Sequence, residues 1–312
     1  MIISTSQENY ELYFSAETTY HQFLAVAIYF RQYNFIDEIS KLPYLTKIKG
    51  TKNLDLNLIK KWLVNGWNTE KILITNKQLL LNDDNYFVLQ WSFPQAYYSV
   101  FATTLAYFSS VGYTENSHTA VLKKLGEIIH SGEYPSFLSF NASGTKKNMN
   151  YHNIDCHSTN KTWGVSSFDT DSVENKICQF LRTTRKIQLD EKREDMKKNF
   201  LTSKHQPKKK IDESEWEKVS QKTGYTTIFN FIYRKRIKAN YRDIDTFNYE
   251  GIKSSQINNC LLRIVSAINL TNESFVYKAI GLDNYNKIFQ GFYKGVNDSF
   301  LEKRFGLINN NI

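Results

Sequence analysis

Apolar positions recur at helical rather than alternating spacing along most of the chain. Between Ala16 and about Ile39, the residues Tyr20, Phe23, Leu24, Ala27, Ile28 and Phe35 fall at helical intervals, with Ser15 or Thr18 placed as a cap and Pro43 beyond the end. A second helix is predicted from about Leu56 to Asn65, with Leu58, Ile59, Trp62 and Leu63 opposite Lys60 and Lys61. Asn68-Thr69-Glu70 resembles a new helix start leading into Ile72, Leu73, Leu79 and Leu80, and Asp83-Asp84-Asn85 reads as a turn. Pro94 suits the first turn of the next helix, which runs to Val111 and stops at Gly112. No charged residue occurs between Pro94 and Val111. A helix without a charged face belongs at the centre of its bundle. Another helix starts at Ser117-His118 and continues to about His130.

From Gly132 to about Asp171 the pattern changes. Gly, Ser, Asn, Thr and Pro accumulate and helical periodicity is lost, which predicts an irregular insertion with short strands. Helical spacing resumes at Val173 and passes Arg193, and Lys204 to Lys210 reads as an exposed basic hinge. Further helices are predicted over Asp212–Thr223, Tyr225 to about Thr246, Ser254–Asn269 and Ser274–Phe292. The expected fold class is all-α, a helical bundle with a long irregular insertion. Its expected divisions are an N-terminal helical extension (1–66), a first part of the bundle (67–131), an insertion with a basic segment (132–214), and a second part with C-terminal helices (215–312).

Composition narrows the picture. The 13 glycines and 4 prolines compare with about 22 and 16 at average usage, and few chain breakers favour long helices. No apolar run approaches the ~18–20 residues needed to span a bilayer. The first residues lack the basic and apolar regions of a signal peptide. Three widely spaced cysteines (Cys156, Cys178 and Cys260) do not form a secreted disulfide framework. These readings point to a cytoplasmic protein with no membrane contact. The formal net charge of +9 favours an anionic partner such as nucleic acid, although abundant Lys, Asn, Ile, Tyr and Phe also match AT-rich coding.

Motifs for familiar chemistry are missing. His152-Asn-Ile-Asp-Cys156-His157 lacks a second ligand pair at zinc spacing, so no metal or other cofactor is expected. No phosphate loop, dinucleotide fingerprint, nucleophile elbow or kinase motif set is present. What remains is Tyr233 to Arg242, where five of ten residues are basic and none is acidic. On a helix, Tyr233, Ile237 and Tyr241 share a stripe, Arg234, Lys238 and Arg242 lie about 100° away, and Arg236 takes the opposite flank. Such a helix packs through its tyrosines and presents guanidinium groups to phosphates. The bland alternative is a solvated basic face, with Arg236 paired to Asp243 or Asp245.

Two segments resemble one family. Gln95-Ala-Tyr-Tyr-Ser-Val-Phe-Ala through Gly112, followed by Ser117-His118-Thr119, is similar to the second and third helices of prokaryotic HEPN-like proteins. Arg236-Ile-Lys-Ala-Asn-Tyr241 resembles that family's later Arg-x-x-Ala-Asp-Tyr element, with Asn240 replacing the acid. The resemblance covers about a third of the chain and makes Gly132 to Trp216 an insertion between bundle helices. It implies an up-and-down bundle, often a homodimer, from toxin–antitoxin or antiphage defence systems. Active members are metal-independent ribonucleases with an Arg-x(4–6)-His motif. Here no histidine lies four to six residues beyond any arginine, and the position corresponding to the motif histidine after Arg236 holds Tyr241. A tyrosine of pKa near 10 is a poor base at pH 7. Either the ribonuclease activity is absent, or His118 supplies the proton transfer from another helix. The expected site is therefore Arg236, His118 and Tyr241 for catalysis, with Arg234, Lys238 and Arg242 on RNA phosphates. The competing expectation is a non-catalytic helical interaction subunit that binds a protein partner, such as an antitoxin or a defence-complex subunit.

Overall fold

The computed structural model describes residues 2–80, 88–156, 169–242, 253–296 and 299–312, with side chains described except at 2–9, 241, 242, 295 and 296. Among these residues the helices are α1 (Ile2–Arg31), α2 (Phe35–Ser40), α3 (Leu56–Leu79), α4 (Val88–Ser110), α5 (His118–His130), α6 (Thr170–Asp195), α7 (Glu213–Thr223), α8 (Ile228–Ile237), α9 (Ser254–Ile280), α10 (Leu282–Val296) and α11 (Ser299–Asn311). Three short strands, β1 (Asn141–Gly144), β2 (Met149–His152) and β3 (Thr226–Thr227), pair antiparallel in the order β2-β1-β3. The fold is thus mainly helical. No helix of the described residues is long and apolar enough to cross a membrane.

Helix α4 is the axis of the bundle, packed on α3, α8 and α9 and buried along almost its whole length. Small residues let its neighbours approach closely. A Cβ on Gly66 of α3 would sit 2.7 Å from Thr103 Cγ2 on α4, and Ser99 Oγ donates to the Gly66 carbonyl at 3.0 Å. α1 packs against both α9 and α6. Phe23 of α1 meets Phe93 of α4 and Phe231 of α8, tying three helices into one aromatic core.

Several element boundaries differ from the sequence reading, for one shared reason: buried polar residues resemble helix ends. α3 is continuous through Asn68-Thr69-Glu70, and Glu70 is completely buried. α9 is continuous through Leu270-Thr271-Asn272-Glu273. Its Asn269 and Asn272 donate to hydroxyls of Ser99, Thr103 and Thr104 on α4 at 2.9–3.1 Å. Arg304 of α11, a helix absent from the sequence reading, makes a bidentate pair with Glu70 (2.6 and 2.7 Å) and reaches Glu273 at 2.8 Å. Tyr285 O–H completes Glu273 at 2.9 Å. Burial raises the Glu273 carboxyl above its ordinary pKa, and Arg304 opposes that shift. Pro94 lies inside α4 rather than at its start.

Among the described residues, the segment after α5 carries the short strands expected of it. It holds a 3₁₀ turn (Ser136–Leu138), the β1–β2 hairpin, and the long α6. Cys156, just past β2, is disulfide-bonded to Cys178 on α6, their Cα atoms 6.1 Å apart. The sequence shows no secreted disulfide framework, and this one bridge forms because the fold closes a separation that sequence spacing leaves open; Cys260 is free and buried. The fully buried Arg185 of α6 donates to the carbonyls of Gly144, Ser220 and Gly224 and to the Ser220 hydroxyl, joining the hairpin to the end of α7. Burial without a carboxylate lowers its pKa to about 10. Residues Lys204–Lys210 form a compact turn instead of a hinge, fastened by the Leu201–Pro207 bridge and by Lys208 N–H to Phe200 O at 2.8 Å. α7 packs on α6 around Leu189, Phe200 and Val219. β3 then leads directly into α8, whose Thr227–Asn230 capping box fixes the start of the basic helix.

Candidate active site

The last turn of α8 crosses α4 where α4 carries the Tyr97-Tyr98 doublet, and the first residue of α5 is His118. Ser117 caps α5 through the Ala120 N–H at 3.3 Å, which sets the imidazole at the helix start. The three elements bring Arg236 and His118 into one aromatic enclosure. The Arg236 guanidinium lies 5.0, 5.6 and 5.7 Å from the ring centres of Tyr98, Tyr97 and Tyr233, and one amino group donates to the Tyr98 hydroxyl at 2.6 Å. The His118 ring packs against Phe101 (4.5 Å), Tyr97 (5.4 Å) and Tyr233 (5.7 Å).

Arg236 is only 8 % exposed, and its Nε has no hydrogen-bond partner. No carboxylate pairs with it among the described residues; Asp243 and Asp245 lie outside them. An enclosed guanidinium with unused N–H donors, sheltered by π-faces, is a cation waiting for an anion. His118 Nδ1 lies 2.7 Å from the Tyr97 hydroxyl. Burial, then the neighbouring Arg236 charge, lower the His118 pKa below its usual value, so the ring is neutral at pH 7. Burial pushes Tyr97 far upward, so it remains a phenol. When Nδ1–H donates to Tyr97, His118 Nε2 presents a lone pair. Tyr98 is 40 % exposed and forms the open side of the enclosure.

The other predicted residues do not join this cluster. Arg234 points to the opposite side of Tyr233, where its guanidinium donates to the hydroxyls of Thr183 and Thr184 at 3.0 Å each. Lys238 donates to Ser15 Oγ at 2.7 Å. Both line a cavity of about 400 Å³ between α5, α6, α7 and α8, and Tyr233 is its shared wall with the Arg236 enclosure. Tyr241 and Arg242 continue the chain in a π-helical turn, Lys238–Arg242, but their side chains lie outside the described residues. Tyr97, Tyr98 and Tyr233 surround Arg236, and none of the three is among the expected site residues. The signal was a tyrosine doublet on a helix otherwise free of charge.

Elsewhere, His152 Nε2 lies 2.9 Å from Ser143 Oγ, and its ring meets His130 edge-on at 4.7 Å. Its burial and His130 lower its pKa. Cys156 is consumed by its disulfide, and His157 lies outside the described residues. The Glu70–Arg304–Glu273 cluster is fully buried and serves packing. Comparison with family models, with curated proteins and with solved structures returns no match.

Proposed function

We propose that this chain is a HEPN-like RNA-engaging protein of a bacterial defence or toxin–antitoxin type system, and that Arg236 and His118 form a metal-independent ribonuclease site. The observation that carries the reading is their convergence in one enclosure from segments more than a hundred residues apart. Neutral His118 removes the proton from a ribose 2′-hydroxyl, and the 2′-oxygen attacks the adjacent phosphorus. The phosphorus–5′-oxygen bond breaks, the 5′-oxygen takes a proton from water, and a 2′,3′-cyclic phosphate remains. Arg236 stabilises the charge that accumulates on the phosphoryl oxygens. Tyr98 is placed to stack a base at the open side. Arg234, Lys238 and Arg242 contribute basic charge to the same helix, and Tyr241 has no assigned step. Work on RNA places the protein in the cytoplasm, where Cys156 and Cys178 would be held mostly as thiols.

The test is binding and cleavage of single-stranded RNA by the wild-type protein, with chelator present, beside His118→Ala and Arg236→Ala. Each variant should lose about 10²-fold or more in cleavage rate, the range set by a general base or a single charge-stabilising donor. Affinity should fall with salt at a slope of about −0.7 per phosphate neutralised. Unchanged cleavage in both variants, or salt-independent binding, sinks the proposal.

The exposed Ile72, Leu79 and Trp91 on α3 and α4 favour a second reading, a non-catalytic subunit that binds a protein partner. Stoichiometric co-purification with a protein, free of nucleic acid, would select it.

A further inference from the structure

Behind Tyr233 lies a second place with unspent binding capacity. Arg234 has no carboxylate partner among the described residues, and it donates to two threonine hydroxyls on α6. Those bonds fix the plane of the guanidinium and leave its other N–H groups to the cavity that it lines. Asn230, 95 % buried at the same cavity, spends its carbonyl oxygen on the Thr227 N–H at 2.8 Å. Its amide nitrogen has no protein partner among the described residues. Gln188 repeats the arrangement, accepting from Thr226 Oγ1 at 2.6 Å with its nitrogen left over. Three side chains are therefore oriented by their other contacts so that donors face the cavity.

Donors alone would suit a bare anion. Two half-buried rings, Tyr225 and Tyr233, also line the space, and Tyr225 is held flat by His130, stacked at 3.9 Å. The carboxylates Glu191 and Asp195 stand on the lining as well, with Asp195 3.7 Å from Lys192. They are acceptors, suited to hydroxyls or ring N–H groups. The volume of about 400 Å³ lies at the small end of the ~300–1,000 Å³ range of ligand clefts. It fits a single small molecule and excludes a helix or a duplex.

We propose that this cavity is a binding site for a free nucleoside monophosphate, with the phosphate on Arg234 and Asn230, the base against Tyr225 or Tyr233, and the ribose hydroxyls toward Glu191. The assignment does not depend on RNA cleavage, because it uses neither His118 nor Arg236. Tyr233 nevertheless links the two, so an occupied cavity fixes one wall of the Arg236 enclosure.

Isothermal titration and thermal shift of the full chain with AMP, GMP, CMP and UMP test the site, with the matching nucleoside and inorganic phosphate as the two halves of the ligand. The expected result is saturable binding of at least one monophosphate, at least 10-fold tighter than either half. Arg234→Gln should weaken it at least 10-fold. Should that variant not fold, Thr119→Trp replaces it, because Thr119 is an exposed residue on the lining and a bulky ring there obstructs the cavity. No binding of any monophosphate, or binding unaffected by the folded cavity variant, overturns the site. Binding of a 5′-phosphorylated oligonucleotide through Arg234 with no binding of free monophosphates overturns the free-ligand assignment and turns the cavity into part of the RNA path.

Discussion

Replacing Arg304 by Met removes the cation that faces both Glu70 and Glu273 and leaves two carboxylates in a fully buried place. In the native chain Arg304 makes three contacts of 2.6–2.8 Å with them and a fourth to Ser266 Oγ at 2.9 Å. Breaking a buried pair by removing one partner costs about 3–5 kcal/mol. Unfolding entropy near 2.1 cal/mol/K per residue gives about 0.65 kcal/mol/K for 312 residues, so about 4 kcal/mol lowers Tm by about 6 °C. The sign of the pH dependence follows from Glu273. Its folded pKa is already raised by burial, so its contribution is present at low pH and is lost as pH rises through the folded value. Without Arg304 the opposing influence disappears and the Glu273 carboxyl shifts further upward. The deficit of Arg304→Met should therefore be larger at pH 8 than at pH 5, measured by urea denaturation followed by circular dichroism. Glu70→Gln, Glu273→Gln and Arg304→Met combined should recover more than half of the loss, because no buried charge remains. A deficit under about 1 kcal/mol, or one equal at the two pH values, refutes this account.

Three further outcomes are expected. Gly66→Ala should destabilise by about 1–3 kcal/mol through the clash with Thr103 Cγ2, and the same change in a Thr103→Ser background should cost nothing or stabilise by up to about 1 kcal/mol; urea melts of the four proteins decide it. Cys178→Ser, or reduction, should cost about 3 kcal/mol by opening a 22-residue loop, read from denaturation with and without reductant. RNA cleavage should rise with pH through a value below the ordinary histidine pKa of 6.5 and then level off, since burial and Arg236 keep His118 neutral. A profile still climbing above pH 7.5 would remove His118 as the base.

The central helix was legible because eighteen uncharged positions leave it no face for water, and α4 is indeed the buried axis. The basic helix with Arg234, Arg236 and Lys238 was equally plain, although periodicity alone could not say which basic group turns inward. Arg236 does, because Tyr97, Tyr98 and Tyr233 enclose it. The breaks placed at Asn68 and near Asn269 misread interior polarity. Asn and Glu next to hydroxyl residues signal a cap to a local reading, while their partners here are on other helices, up to 234 positions away. α11 escaped notice for another reason: its apolar stripe of Leu301, Phe305 and Ile308 is short and is interrupted by Glu302, Lys303 and Arg304, although Leu301 and Ile308 are buried and Phe305 stacks on Phe289. The Cys156–Cys178 pair is a product of topology, since β2 is laid beside α6 only after both have folded.

The Glu70–Arg304–Glu273 cluster also imposes an order on synthesis. Chains are made at about 5–20 residues per second, so the 31 positions separating Glu273 from Arg304 take about 2–6 s to add. Until then, packing α3 on α9 would bring Glu70 and Glu273 together without their cation. α3 and α9 therefore gain little by closing early, and the last helix acts as the latch. A nascent chain stopped short of Arg304 would stay open to proteases, whereas one that includes it would close in a single cooperative step.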